Sequence, residues 1–431
     1  MKFERLGDKI NQIRGISYKP NDISAIPMPD YVPILKANNI QEEGIDKSDL
    51  IYIHKSKVKP EQFIKKGDLL LAASSGSKEI VGKNIYFESD FEGSFGAFCK
   101  LVRPKKNINH RYLSTFFKSV PYKRHIRKLL SGALINNLKN EYIDSLLIPD
   151  ISDSDQLHIA NLLSKAENLI AQRKESIRLL DEFLKSTFLE MFGDPLRNEK
   201  GWKVEHLGNV TVMKAGQFVA ASDIQSEFNE KLYTCYGGNG LRGYVKTYTH
   251  EGNFVLIGRQ GALCGNVKIA KGQFHVTEHA VVCSPKMQFE TYWLYYLLDI
   301  INLNKYASGA AQPGLAVGRL EQIEIIYPPL KFQTQFAQIV EKTEALKTQY
   351  QQSLQELENL YGSLSQKAFR GELVAQDPND EPASVMLERI KEEKVQIKAE
   401  EKGGKSKQYL IKEPSEKIAA ERSVPYDKNT K

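Results

Sequence analysis

SGALINNLKNEYIDSLLIPDISDSDQLHIANLLSKAENLIAQRKESIRLLDEFLKSTFLEMF, residues 131–192, aligns without a gap on SGAAQPGLAVGRLEQIEIIYPPLKFQTQFAQIVEKTEALKTQYQQSLQELENLYGSLSQKAF, residues 308–369. Ser131-Gly132-Ala133 falls on Ser308-Gly309-Ala310, Leu138 on Leu315, and Phe192 on Phe369. Lys165, Glu167 and Leu169 fall on Lys342, Glu344 and Leu346, and about fifteen of the 62 positions are identical. Upstream the echo is looser. Leu6-Gly7 answers Leu207-Gly208, and Gly67-Asp68-Leu69-Leu70-Leu71 answers Gly252-Asn253-Phe254-Val255-Leu256. Solenoid units run to roughly 20–50 residues, so this unit is too long for one. The expectation is one globular head followed by one long helix, duplicated: an α+β chain holding two similar things apart.

The helices are read from a seven-residue recurrence. In 154–192 apolar side chains recur at Leu163, Ile170, Ile177, Leu184 and Met191, with Ala166, Leu180 and Thr187 between them. The second copy offers Val340, Leu354, Tyr361 and Ala368, interleaved with Tyr350, Leu357 and Leu364. Such spacing is the seam of a coiled coil, and helix against helix is favoured over each helix lying on its own head. Arg173 and Lys347 interrupt the seam and would fix register. Gly193-Asp194-Pro195 stops the first helix and Arg370-Gly371 the second. At ~1.5 Å per residue each helix spans roughly 58 Å, enough to act as a ruler between heads.

The heads read as mixed α+β. Tyr31–Lys36, Leu50–Lys55, Asp68–Ala73, Asn84–Phe87 and Gly96–Val102 are expected strands, with one helix over Ile108–Leu130. The second head repeats the plan with Tyr233–Tyr236, Phe254–Ile257, Asn266–Ile269 and Ala280–Ser284, then a helix near Thr291–Leu303. The segments are therefore 1–150 (first head), 151–195 (helix), 196–328 (second head), 329–375 (helix) and 376–431. The last is a charged tail, partly disordered by composition.

Four Cys (Cys99, Cys235, Cys264, Cys283), none in a Cys-x-x-Cys pair, suggest a reducing cytosol. No apolar run is long enough to span a bilayer, so a cytoplasmic protein is expected. The net charge of +7 matters less than its placement. Gly93 to Asn140 contains no Asp or Glu, yet holds Lys100, Arg103, Lys105, Lys106, Arg111, Lys118, Lys123, Arg124, Arg127, Lys128 and Lys139. A one-sign stretch inside a domain fits a polyanion, nucleic acid above all. The alternative is a solvated helix face paired with acids from elsewhere in the fold.

No catalytic pattern emerges. Gly76 to Lys83 resembles a phosphate-binding loop but is one residue too long, and Asn84 stands where Ser or Thr would hold magnesium. Tyr327-Pro328-Pro329 lacks the preceding Asn or Asp of an amino-methyltransferase motif. Cys264, His275, His279 and Cys283 are ligand types zinc accepts, but 274–284 reads as extended chain. Residues four apart there lie ~13 Å apart, so core and loop roles are expected instead. No metal site and no active site is assigned.

Taken in order, these parts resemble the DNA-specificity subunit of type I restriction–modification systems. The resemblance rests on several motifs. They are Ser-Gly-Ala before each helix, Gln156 and Gln333 near the helix starts, and Phe192-Gly193-Asp194-Pro195. Lys367-Ala368-Phe369-Arg370-Gly371-Glu372-Leu373 and, in the second head, Tyr236–Gly240 and Ile257–Gly261 complete the set. It implies two target-recognition domains reading a split DNA sequence. It also implies a spacer of two antiparallel helices docking two methyltransferase subunits, and nuclease subunits in the full complex. S-adenosylmethionine, ATP and magnesium would belong to those partners, and this chain would be a non-catalytic recognition subunit. Asn239, Arg242, Arg259 and Gln260 are the expected base readers. Lys78, Lys83, Arg111, Lys118, Lys123, Arg124, Arg127 and Lys128 are the expected DNA contacts of the first head. The spacer contacts are Leu163, Ile170, Ile177, Leu184, Leu354, Leu357 and Leu364. Alternatives are a recognition chain of a stand-alone methylation or defence system without nuclease, and, more distantly, a coiled-coil scaffold for proteins.

Overall fold

The computed structural model describes residues 2–41, 44–77, 79–131, 137–261, 263–308 and 313–373. The chain divides into two compact units, Met1–Ser164 with Tyr361–Lys431, and Lys165–Leu360. The long helices are therefore shared out between the units rather than set apart from the heads. Among the described residues no helix is long and apolar enough to cross a membrane.

The long helices run Asp153–Phe192 and Leu330–Arg370, inside the expected segments 151–195 and 329–375. Gly193 and Gly371 take φ of +77° and +79° beyond them, a left-handed turn that a residue with a Cβ enters only at a cost. Of the expected seam residues, Leu163 and Ala368 lie in the core of the first head with Leu364 against it, and Leu184 and Val340 lie in the core of the second, so these helix ends pack on the heads. Ile170, Ile177, Leu354 and Leu357, in the middle stretches, are half-buried. Within the second unit the pairing is antiparallel: Lys174 pairs with Glu358 at 3.1 Å and Lys347 with Asp181. The Arg173 guanidinium lies 4.3 Å from the centre of the Tyr350 ring. The two polar interruptions of the seam thus each have a partner, and the register they impose is specific.

The duplication reappears as one frame built twice. In the first unit Phe3–Arg5 pairs antiparallel with Leu147–Pro149; in the second Val204–His206 pairs with Glu324–Ile326. Each first strand runs into a one-turn helix, Leu6–Lys9 or Leu207–Val210, packed on another, Asn140–Asp144 or Val317–Glu321. A Cβ on Gly7 would lie 2.8 Å from Asp144 Cβ, and one on Gly208 2.8 Å from Glu321 Cβ. The shared Leu-Gly is therefore a packing requirement.

The two glutamines occupy matching sockets. Gln156 Oε1 accepts from the Asn109 N–H at 2.8 Å while its Nε2 donates to the Ile151 carbonyl at 3.0 Å. Gln333 Oε1 accepts from the Glu290 N–H at 3.0 Å and its Nε2 donates to the Pro328 carbonyl at 2.8 Å. Asn109 and Glu290 are the N-cap residues of the head helices His110–Lys118 and Thr291–Ile301. Each glutamine, itself buried, ties a head helix to the start of a long one.

The second head is a six-stranded sheet. In spatial order its strands are Thr211–Ala215, Ala280–Pro285, His250–Gly258, Val267–Val276, Tyr233–Gly237 and Gly240–Val245. Val255, Ile257, Val281 and Cys283 point to the helix side, with Trp293, Leu297 and Phe336. Leu256, Val282, Ala270 and Phe274 form a core on the opposite face. Burial on both faces explains the unbroken apolar runs of these strands. The first head has a matching sheet, Ile10–Arg14, Cys99–Pro104, Leu69–Ala72 and Asn84–Tyr86, and adds a second four-stranded sheet and a two-stranded one.

Two expectations are corrected. The helix over Ile108–Leu130 is two helices, His110–Lys118 and Val120–Ser131. Ser119 breaks the run in extended conformation, ψ 152°, and its Oγ accepts from the Tyr122 N–H. Pro121 has no N–H to continue the first helix and suits the start of the second. The upstream repeat alignment also slips by one residue. Cys99 pairs with Ala72, and Ala280 with Gly258. Ala73 therefore corresponds to Arg259 and Ser74 to Gln260, not Ser74 to Arg259. Hydrogen bonds agree: Leu138 N–H donates to Ala73 O, and Leu315 N–H to Arg259 O.

Candidate nucleic-acid interface

In the second head, turns from four strands meet at one end of the sheet. A Cβ on Gly258 would lie 2.1 Å from the Gly238 carbonyl oxygen, and one on Gly216 2.2 Å from that of Val276. Only glycine lets these backbones touch. Thr277 N–H donates to Tyr236 O, Gly216 N–H to Ala280 O and Arg259 N–H to His279 O at 3.0 Å. The sequence Gly237-Gly238-Asn239-Gly240 is the turn between two strands, and Gly240 has φ +100°.

The expected base readers stand around this junction. Asn239 is exposed at the tip and accepts from Asn266 Nδ2 at 3.0 Å; Arg242 is exposed on the strand that follows. Arg259 is half-buried, and its Nε is buried without a hydrogen-bond partner among the described residues. Gln260 is exposed, with its Oε1 2.7 Å from His279 Nδ1. His279 Nε2 lies 3.1 Å from Glu278 Oε1. Glu278 and His279 were not among the expected DNA contacts; His279 entered the sequence reading only as a metal-ligand type, and only contact across strands joins it to Gln260.

In the first unit the corresponding turn is Ala73-Ser74, whose N–H groups donate to Phe98 O at 2.9 and 3.0 Å. Phe98 is 67 % exposed and stands where the second head has His279. Lys83 is half-buried beside this loop; Lys78 lies outside the described residues. On the helix Val120–Ser131 the side chains of Lys123, Arg124, Arg127 and Lys128 are exposed, while Tyr122 and Ile126 are buried on the other side. Arg111 is exposed and Lys118 half-buried on the preceding helix. The six cations therefore lie on two helices rather than one.

Other cations of the acid-free stretch serve the fold. Lys100 is buried and donates to the Leu138 carbonyl at 2.9 Å, and burial lowers its pKa. Arg103 grips Asp68 through Nε at 2.8 Å and Nη2 at 2.7 Å. Lys105 donates to the Gly7 and Asp8 carbonyls. For these three the reading as internally used charge applies. Cys264, His275 and Cys283 are buried at separate places: Cys283 pairs with Met213 and Val255 in the sheet, and burial pushes its thiol up to about 12.

The helix faces away from the seam carry a second repeated feature. Leu169 and Leu346, equivalent in the duplication, are 43 % and 37 % exposed. Phe183 and Leu360, also equivalent, are 48 % and 51 % exposed. Large apolar side chains left open at the same two positions of both copies make two like surfaces.

Residues 199–359 match the family described as type I restriction modification DNA specificity domain. The chain is 40 % identical over 203 residues to the EcoprrI specificity subunit of Escherichia coli, a match covering 46 % of this chain and half of that relative's length. Two longer matches are the type I restriction enzyme StySPI specificity subunit of Salmonella potsdam and the EcoKI specificity subunit of Escherichia coli K12. They are 29 % and 28 % identical, and each covers 89 % of this chain and 93 % of the relative. The fold is similar to the crystal structure of a type I restriction–modification S subunit from M. genitalium. There the TM-score is 0.53 and the identity 16 %, over 85 % of this chain and 96 % of that one. A structure from a study of type I R-M complex assembly is similar with TM-score 0.55 and 18 % identity, over 86 % of this chain and 98 % of the other.

Proposed function

We propose that this chain is a type I restriction–modification DNA specificity subunit and that each of its heads reads one half of a split double-stranded DNA target. One observation carries the reading. The supporting frame is built twice, down to the buried glutamines and the Leu-Gly contacts, while the turns at the sheet ends differ. A repeated scaffold with divergent loops suits two readers of different half-sites. The small residues at the loop junction let backbone come close to a groove, where Arg pairs with guanine and Asn or Gln with adenine. The exposed face of Lys123, Arg124, Arg127 and Lys128 supplies phosphate contacts. The equivalent apolar pairs Leu169/Leu346 and Phe183/Leu360 suit two copies of one partner, the methyltransferase subunit, with nuclease subunits joining the full complex. S-adenosylmethionine, ATP and magnesium then act on those partners, and this chain contributes recognition.

The test is selection. The full chain with its methyltransferase subunit is offered duplexes with a long randomised centre, and the bound fraction is sequenced. Two short fixed segments separated by an unread gap are expected; a single segment, or none, overturns the reading. Replacing Lys123, Arg124 and Arg127 by Gln weakens the enriched duplex and scrambled DNA alike, and flattens the salt slope by ~0.9 per lost phosphate contact. Loss confined to the enriched duplex would make these residues base readers instead.

A further inference from the structure

We propose that His279, held by Glu278, is a positioning residue that fixes which hydrogen-bonding group Gln260 offers to DNA. The inference rests on the reading of the second head as a DNA reader and adds the element that makes one of its contacts selective.

A free glutamine amide is ambivalent: its oxygen accepts, its nitrogen donates, and rotation exchanges the two. Gln260 is not free. Its Oε1 lies 2.7 Å from His279 Nδ1, and His279 Nε2 lies 3.1 Å from Glu278 Oε1; at each contact the oxygen can only accept, so an imidazole N–H is the donor. One end of the amide is therefore taken by the imidazole, and only the other end faces outward. The backbone beneath both residues is fixed as well. Arg259 N–H donates to the His279 carbonyl, and Gln260 is bridged to Gly314. Glu278 is half-buried, with its Oε2 buried and without a hydrogen-bond partner among the described residues. The first head has no such relay. Phe98 stands at the His279 position and Ser74 at the Gln260 position, a pair without a side-chain acceptor for a serine to share. The relay belongs to the second half-site alone.

The experiment is the same duplex selection, run with the full chain carrying His279→Ala, Gln260→Ala, both, or His279→Asn. His279→Ala frees the amide, so one base pair of one half-site broadens from a single preference to two or more. Its discrimination falls about fivefold or more, the low end of one base contact. Gln260→Ala broadens the same base pair, and the double variant goes no further, because His279 acts through Gln260. His279→Asn broadens the same base pair, since the Asn amide can itself present either a donor or an acceptor to Gln260. If His279→Ala and Gln260→Ala leave the profile unchanged, or weaken every position equally, the positioning role is overturned while split-site reading stands. If the unsubstituted chain enriches nothing, it is the DNA reading itself that fails. His279→Asn, with its smaller structural change, keeps the outcome decisive should His279→Ala unfold: parental selectivity in His279→Asn would also refute the role.

Discussion

Replacing Gln333 by Leu keeps the side chain's bulk and removes both of its hydrogen bonds. The side chain is fully buried, so no water replaces what is lost. Two main-chain groups are then orphaned: the Glu290 N–H, 3.0 Å from Gln333 Oε1, and the Pro328 carbonyl, 2.8 Å from Nε2. Each buried unpaired group costs about 1–3 kcal/mol, so the variant should lose about 2–6 kcal/mol. That is a large share of the roughly 5–15 kcal/mol by which domains are stable. The chain's two tryptophans, Trp202 and Trp293, both belong to the second unit, and Trp293 is buried in its core beside Phe336. Tryptophan fluorescence in urea therefore reports this unit directly, and its midpoint should fall by about 1 M or more at a slope of about 1–3 kcal/mol per molar. Gln156→Leu makes the same cut in the first unit, where there is no tryptophan, and is followed by circular dichroism. A loss below about 0.5 kcal/mol in Gln333→Leu, the level of an ordinary surface change, would refute the claim that this amide satisfies two otherwise unpaired groups.

Acid should act through Glu4. The hydrogen bond from Lys9 holds its carboxyl below the ordinary range, against the opposing effect of burial. Its stabilising contribution is present above a glutamate's unfolded value of about 4.3 and is lost as pH falls through the lowered folded value. Glu4→Gln should therefore be less stable than the parent near neutrality and equal to it in strong acid, read from urea midpoints across pH; a constant difference would deny the linkage. If two methyltransferase copies dock as proposed, Leu169→Asp and Leu346→Asp should each remove one of them and the pair should remove both, as measured by native mass spectrometry. Loss of both copies from one substitution would mean that the two surfaces are not independent.

The helices were legible because their signals are local and doubled: a seven-residue seam, a glycine beyond each end, and two copies to compare. Sheet register was not. Leu69 to Ala72 and Val255 to Gly258 are buried on both faces, so nothing in their composition marks which residue faces which side, and a one-residue slip costs the alignment nothing. The break at Ser119 was written in the sequence, as a serine two residues before a proline, but an apolar period that carries on through Tyr122 and Ile126 hides it. The basic stretch was legible as charge and not as role. Its first cations lie on a strand and loop, where Lys100, Arg103 and Lys105 find internal acceptors; the later ones lie on a helix with an open side. His279 could not be linked to Gln260 from sequence, since their contact crosses between strands nineteen residues apart.

The first unit is closed by residues made after the whole of the second. Ala368 and Phe369 sit in its core, with Phe369 ring centroids 5.5 Å from Tyr112 and 5.2 Å from Phe116, beside Ile159 and Leu163. On the ribosome these aromatic partners emerge about 250 residues before Phe369 does, a delay of ~13–50 s at the ~5–20 residues per second of synthesis. Through that interval the nascent first head carries an open apolar surface, while every segment of the second is made. The chain's schedule of folding thus runs inside out: the unit begun first is finished last, and a ribosome that stops short of Phe369 releases a protein whose defect lies in its opening third.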